Sequence, residues 1–166
     1  LATAGDQFDQ ALIQYVRQHH DLLIGARTAQ AVKEAIGQVA GEGEESAAVK
    51  GRCLTSGLPR QITLTAQETA EAFGPVAEVI VAAVHRVLER TPPELAADVA
   101  ESGLLLTGGG SLLRGLDTLL AQRTGMEAHV TAAPIQSVAL GLLETLPDLS
   151  KRKEGVLHLA RRQWSL

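Results

Sequence analysis

Leu104-Leu105-Leu106-Thr107-Gly108-Gly109-Gly110-Ser111-Leu112-Leu113 is the stretch whose reading decides the fold. Its three leucines form an unbroken apolar run, as in a short strand covered on both faces. Three consecutive glycines let the backbone turn sharply and leave its N–H groups uncovered. Beyond them, Leu112, Leu113, Leu116, Leu119 and Leu120 fall on one face of an expected helix. A glycine loop that opens a helix favours anions, because free N–H groups and the helix dipole point the same way. A phosphate is the obvious guest, and a purely structural turn is the alternative. Known phosphate loops do not match: no Lys-Ser or Lys-Thr closes the stretch, and the third glycine of a dinucleotide fingerprint would fall at Leu113. A nucleophile elbow needs Gly-x-Ser-x-Gly, so Ser111 reads as a cap or a ligand and not as a nucleophile.

On the C-terminal side, Ala128-His129-Val130 reads as a brief strand. Pro134 then introduces a helix carrying Ile135, Val138, Ala139, Leu142 and Leu143, stopped by Pro147. Strand–helix–strand–helix from Leu104 to Leu146 predicts parallel pairing with a right-handed crossover. On the N-terminal side, Thr91-Pro92-Pro93-Glu94 has the form of a capping box ahead of a short helix. Val76, Val79, Ile80, Ala83, Val84, Val87 and Leu88 repeat at helical spacing, and His85 lies off that stripe. Gly74-Pro75 either kinks this helix or starts it afresh, and Thr65-Ala66-Gln67-Glu68 is a further capping box. Ala47–Leu54 and Arg60–Leu64 alternate around Thr55-Ser56-Gly57-Leu58-Pro59, which predicts a β-hairpin after the acidic loop of residues 41–46. Thr28 is the expected cap of a short helix ending at Gly37, with Lys33 and Glu34 on a polar edge. The first helix follows Asp6, with Phe8, Ala11, Leu12, Tyr15 and Val16 on one face, and fades at His19-His20. Those adjacent histidines point in different directions and make a poor metal pair.

The 166 residues suffice for one domain with a small insert, and 45% hydrophobic content supports a packed core. Only 2% is aromatic, so that core is built from Leu, Val, Ile and Ala. A net charge of −4 argues against a general nucleic-acid binder. Residues 150–166 carry five Lys/Arg and one Glu, so that tail is basic and the remainder strongly acidic. Its apolar residues, among them Leu157 and Trp164, allow either a basic amphipathic helix or a frayed terminus. A lone Cys53 rules out an internal disulfide and suits a reducing compartment. No apolar run approaches the roughly 20 residues that span a bilayer.

Two strands, or three if Ala2–Ala4 is one, are too few for the helices that must pack on the parallel sheet. The sheet should therefore be incomplete, with apolar edge uncovered, and the chain is expected to be part of a longer protein.

Several stretches resemble, in order, the C-terminal portion of the bacterial actin homologues of the MreB family, the rod-shape-determining proteins. They are Gly5–Ile13, Leu23-Ile24-Gly25 with Thr28–Lys33 and Ile36-Gly37, Gly51–Leu54 with Gly57–Arg60, Thr91–Asp98, and Leu106–Leu116. The resemblance implies an actin-like (ribonuclease H-like) α/β fold, of which this chain is most of the second half. Residues 1–27 and 74–147 would form its large subdomain, 28–73 a small inserted α+β subdomain, and 148–166 a basic tail. By resemblance, Gln30, Ala31, Val32 and Lys33 lie along the adenosine, and Gly108, Gly109, Gly110, Ser111 and Leu112 lie by the phosphates and sugar.

The cofactor so implied is ATP with Mg²⁺. The implied role is a filament-forming cytoskeletal protein that sets rod shape by organising cell-wall synthesis. Its partners would be further copies of itself, the cell-wall elongation machinery and inner-membrane proteins, with no nucleic acid. It would be cytoplasmic and membrane-associated, with membrane contact made mainly by the missing half. Where the family has a second glycine before the aspartate, this chain has Ala4-Gly5-Asp6. The two phosphate loops and the catalytic acid lie upstream in the family, so no ATPase activity is expected from these residues alone. A chaperone or sugar kinase of the same superfamily is the alternative, as is a truncated, non-catalytic interaction module.

Overall fold

Helix α1 (Gly5–His20) forms because Phe8, Leu12 and Val16 recur at four-residue intervals and are buried together. The computed structural model describes residues 5–149; the strand considered at Ala2–Ala4 and residues 150–166 of the basic tail lie outside them. After α1 come strand β1 (Leu22–Leu23), helix α2 (Ala26–Ile36) and the hairpin of β2 (Ser46–Cys53) and β3 (Pro59–Thr65). Strands β1, β2 and β3 form an antiparallel sheet in that order, with Val49 opposite Ile62 and Ala47 opposite Leu64. Alternation puts Val49, Cys53 and Leu64 on the buried face. Val49 and Leu64 meet α1, α2 and the first half of α3 (Ala66–Glu89) in one core. At its centre Phe8 and Phe73 pack edge to face, with ring centroids 5.3 Å apart.

The capping box at the start of α3 is fully formed. The Thr65 hydroxyl accepts from the Glu68 N–H at 3.3 Å, and the Glu68 carboxylate accepts from the Thr65 N–H at 2.8 Å. Helix α3 runs unbroken through Pro75, so Gly74-Pro75 neither ends nor restarts it. Thr65→Ala should lower stability by about 1 kcal/mol. That is a fall of roughly 2–4 °C in the melting midpoint followed by circular dichroism; an unchanged midpoint would refute the cap's contribution.

Two local expectations are corrected. The box at Thr91–Glu94 does not form: helix α4 (Pro93–Ser102) has Pro92 at its N-cap, without a side-chain cap. Pro93 at the first helical position sets the start one residue late, and the Thr91 hydroxyl donates instead to the Val87 carbonyl at 2.9 Å. Strand β4 (Leu104–Leu106) pairs in parallel with β5 (Ala128–Val130), but among the described residues it is not covered on both faces. Leu106 and Ala128 pack against Val81, Leu116 and Leu120, whereas Leu105 is 70% exposed. A two-stranded parallel pair with an open apolar position is the incomplete sheet that the strand count predicts.

Helix α6 (Ser137–Leu149) belongs to a second unit that begins at Ile135. It continues past Pro147, contrary to the expected stop. A proline in the last turn removes only one backbone donor, which a helix end tolerates. No helix among the described residues is long and apolar enough to cross a membrane.

Candidate functional site

The glycine loop is built from its own backbone. Gly108 has φ +81°, and its N–H donates to the Pro134 carbonyl at 2.8 Å. The Gly108 carbonyl in turn accepts from the Ser111 hydroxyl at 2.7 Å and from the Ser111 N–H at 3.2 Å. These bonds close a 3-10 turn over Gly109–Leu112, followed at Gly115 by a left-handed residue that resets the chain before α5 (Leu116–Thr124). The expectation that the glycines open an α-helix is therefore corrected, because Ser111 closes the tighter turn first. Leu113, Leu116 and Leu120 are buried as expected, but Leu112 is 55% exposed.

The loop opens a 3-10 turn and not an α-helix, so the donors it offers an anion are its own N–H groups. The amides of Gly109 and Gly110 stand outside the bonds that tie the loop down. A Cβ built on either glycine would meet nothing within 4 Å. The chain's own packing therefore does not explain glycine at 109 and 110. Ser111 is buried with its hydroxyl engaged inside the loop, so it shapes the turn.

Helix α2 carries the other predicted residues. Its N-cap is Gly25 and not Thr28, which lies within the first turn and whose N–H donates to the Gly25 carbonyl at 3.0 Å. Gln30 and Ala31 are exposed, and the Gln30 amide donates to the Glu34 carboxylate at 2.9 Å. Val32 faces the core. The Lys33 ammonium sits 2.7 Å from the Asp9 carboxylate and donates to the Gly5 carbonyl at 3.0 Å. The Asp9 oxygen is buried and not aligned for a hydrogen bond, so the Lys33–Asp9 contact is an ion pair held by distance. Lys33 thus anchors α2 to α1.

The glycine loop and α2 are joined where each ends. Gln38 and Arg114 form a parallel β-bridge, with the Val39 N–H donating to the Arg114 carbonyl at 2.9 Å. The Arg114 guanidinium donates to the Ala35 carbonyl at 3.0 Å and to the Glu45 carboxylate at 2.5 Å. Sequence reasoning missed Arg114 and Asp9 as structural partners of the site. Arg114 bonds residues 79 and 69 positions away, so no local pattern signals it.

Displaced titration lies elsewhere. Burial and the Glu71 hydrogen bond push the Tyr15 hydroxyl up. The Ser56 and Thr55 hydroxyls push the Cys53 thiol down to about 6, against the opposing effect of its burial. Burial works against the Glu68 carboxylate, yet the Thr65 amide and the His20 ring hold it below its usual value. These groups belong to α1, β2 and α3. The glycine loop and α2 thus offer main-chain dipoles and shape, the equipment of binding more than of proton transfer. A shallow groove of about 360 Å³ runs along α5 and β5, away from the loop, and its Asp117 and Glu127 would repel a phosphate. Among the described residues no three His, Cys, Asp or Glu are grouped to hold a metal ion.

The model of the MreB/Mbl protein family matches residues 1–154. The cell shape-determining protein Mbl of Bacillus subtilis is 43% identical over 157 residues, which cover 92% of this chain and 47% of that protein. The cell shape-determining protein MreB of Escherichia coli K12 is 46% identical over 138 residues, 82% of this chain and 40% of that protein. The chain thus spans less than half the length of these relatives. Among solved structures, MreB5 of Spiroplasma citri bound to ADP superposes with a TM-score of 0.89 at 29% identity, covering 93% of this chain and 47% of that one. The same protein bound to AMPPNP gives 0.88. A MamK double helical filament, at 24% identity and a TM-score of 0.68, shares the fold. The architecture is actin-like.

Proposed function

The chain belongs to the MreB/Mbl family, and from that premise we propose that it is one wall of the nucleotide cleft in an actin-like cytoskeletal protein. That protein binds ATP with Mg²⁺, assembles into filaments of its own copies and determines rod shape by organising cell-wall synthesis. It works from the cytoplasmic face of the membrane, alongside the elongation machinery and inner-membrane proteins. In this reading the Gly109 and Gly110 amides receive the phosphates, while α2 presents Gln30 and Ala31 to the adenosine. Val32 and Lys33 hold that helix in place, against the core and Asp9 respectively. Residues 28–73 are the small subdomain, and the opposite wall of the cleft corresponds to the remaining length of the relatives. Closure between the walls would carry the nucleotide state to the filament contacts.

One observation carries the reading: residues 109 and 110 are glycines whose missing side chains would point into open space, beside amides the loop itself does not use. The test is Gly109→Val in the whole protein, titrated with ADP. Stability should stay within about 0.5 kcal/mol of the parent, since a Cβ at 109 has no neighbour in the chain within 4 Å. ADP affinity should fall by about tenfold or more, equal to at least roughly 1.4 kcal/mol. Equal affinity in parent and variant would place the phosphates elsewhere. Sedimentation of nucleotide-bound protein tests assembly separately.

A further inference from the structure

We propose that Arg114 is a positioning residue for the glycine loop, with Glu45 of the acidic loop as its counter-ion. Its functional consequence rests on the nucleotide reading above; its structural part does not. The guanidinium is a planar fork whose N–H groups can serve two acceptors at once. Here one nitrogen takes the Ala35 carbonyl near the end of α2, and the other takes Glu45. Glu45 is itself fixed, because its carbonyl accepts from the Ala66 N–H at 2.8 Å, at the start of α3. Arg114 therefore references the loop exit to α2 directly and to α3 through Glu45.

The neighbouring contacts leave little room for error. Gly43 is crowded from two sides: a Cβ there would lie 2.5 Å from the Gln38 side-chain oxygen and 2.6 Å from a Glu45 carboxylate oxygen. Gln38 is 3% exposed, with its N–H on the Thr69 hydroxyl at 3.3 Å and its side-chain nitrogen buried without a partner. An unsatisfied buried amide is costly, so the packing of the acidic loop over Gln38 needs an outside tie. The Arg114–Glu45 pair supplies one. The two stretches assigned to the nucleotide, residues 30–33 and 108–112, are brought into register by this junction, and a ligand touching both would sense any slack in it.

Arg114→Ala and Arg114→Lys in the whole protein test the proposal by hydrogen exchange without nucleotide and by ADP titration. The hydrogen-bonded amides of Ser111, Leu113 and Val39 should exchange about tenfold faster in Arg114→Ala, with α1 unchanged. ADP affinity should drop about fivefold. Lysine can reach one acceptor and not both, so Arg114→Lys should restore part of each effect. If Arg114→Ala fails to fold, Glu45→Gln keeps the Ala35 bond and should shift exchange the same way by less. Unchanged exchange would overturn the positioning role whether or not ADP binds. Faster exchange with unchanged ADP affinity would overturn its functional part. A parent protein that ignores ADP would refute the nucleotide reading, while the exchange result still decides the junction.

Discussion

Phe73→Ala should destabilise the protein by about 3–5 kcal/mol, enough to remove much of a typical domain's net stability. Phe73 is fully buried and meets Phe8 edge to face in a core shared by α1, α2, α3 and the β1–β3 sheet. Apart from Phe8, the buried residues of that core are aliphatic side chains carried mainly on helices and strands, which close-packed surroundings keep from collapsing to fill the hole. The loss combines transfer, cavity and aromatic-pair terms. Urea unfolding should show a lower midpoint at constant slope. Phe73→Leu, which keeps most of the volume, should cost less than about 1.5 kcal/mol. A loss of stability in Phe73→Ala below about 1 kcal/mol, against the roughly 3 kcal/mol minimum expected, would mean that this core is not the stabilising centre.

Gly115→Ala should cost about 2–4 kcal/mol, from left-handed strain together with overpacking. Gly115 has φ +76°, and a Cβ there would stand 2.1 Å from the Ala40 carbonyl oxygen. Because that neighbour is backbone, relief requires separating the two segments and opening the bond from the Val39 N–H to the Arg114 carbonyl. The contrast with Gly109 is diagnostic. Gly115→Ala should lower the thermal midpoint by roughly 4–16 °C, taking about 2–4 °C per kcal/mol, whereas Gly109→Val should leave it nearly unmoved. The first glycine is required by the fold, and in the proposed reading the second is required by the ligand. Equal thermal shifts in the two variants would contradict that division.

Much of the fold was legible because its signals are local. The Phe8–Leu12–Val16 spacing specifies α1, the Thr65–Glu68 pair specifies the start of α3, and alternation specifies the hairpin. The errors came where two local rules compete. Thr28 and Thr91 are both good caps, but Gly25 in an extended conformation and Pro93 at a first helical position set the helix starts instead. Leu112 looked like part of a helical stripe, but Ser111 closes a 3-10 turn across it. For the candidate site, the glycine run is a local signal, whereas the contacts of Arg114 and Asp9 and the contrast between crowded Gly115 and open Gly109 and Gly110 are not.

By itself, the sequence determined most of the helices and the β-hairpin, though not the strand at Leu22–Leu23, together with a parallel sheet short of strands and, through ordered motif matches, the actin-like family. Tertiary structure alone decided that Lys33 faces Asp9, that Arg114 joins α2 to the glycine loop, and that Gly115 is held against Ala40 while Gly109 and Gly110 stand open. The physical reason is range. Secondary structure follows from periodicity and capping within a few residues, whereas an ion pair or a backbone collision depends on groups dozens of residues apart, which meet only after the chain has folded.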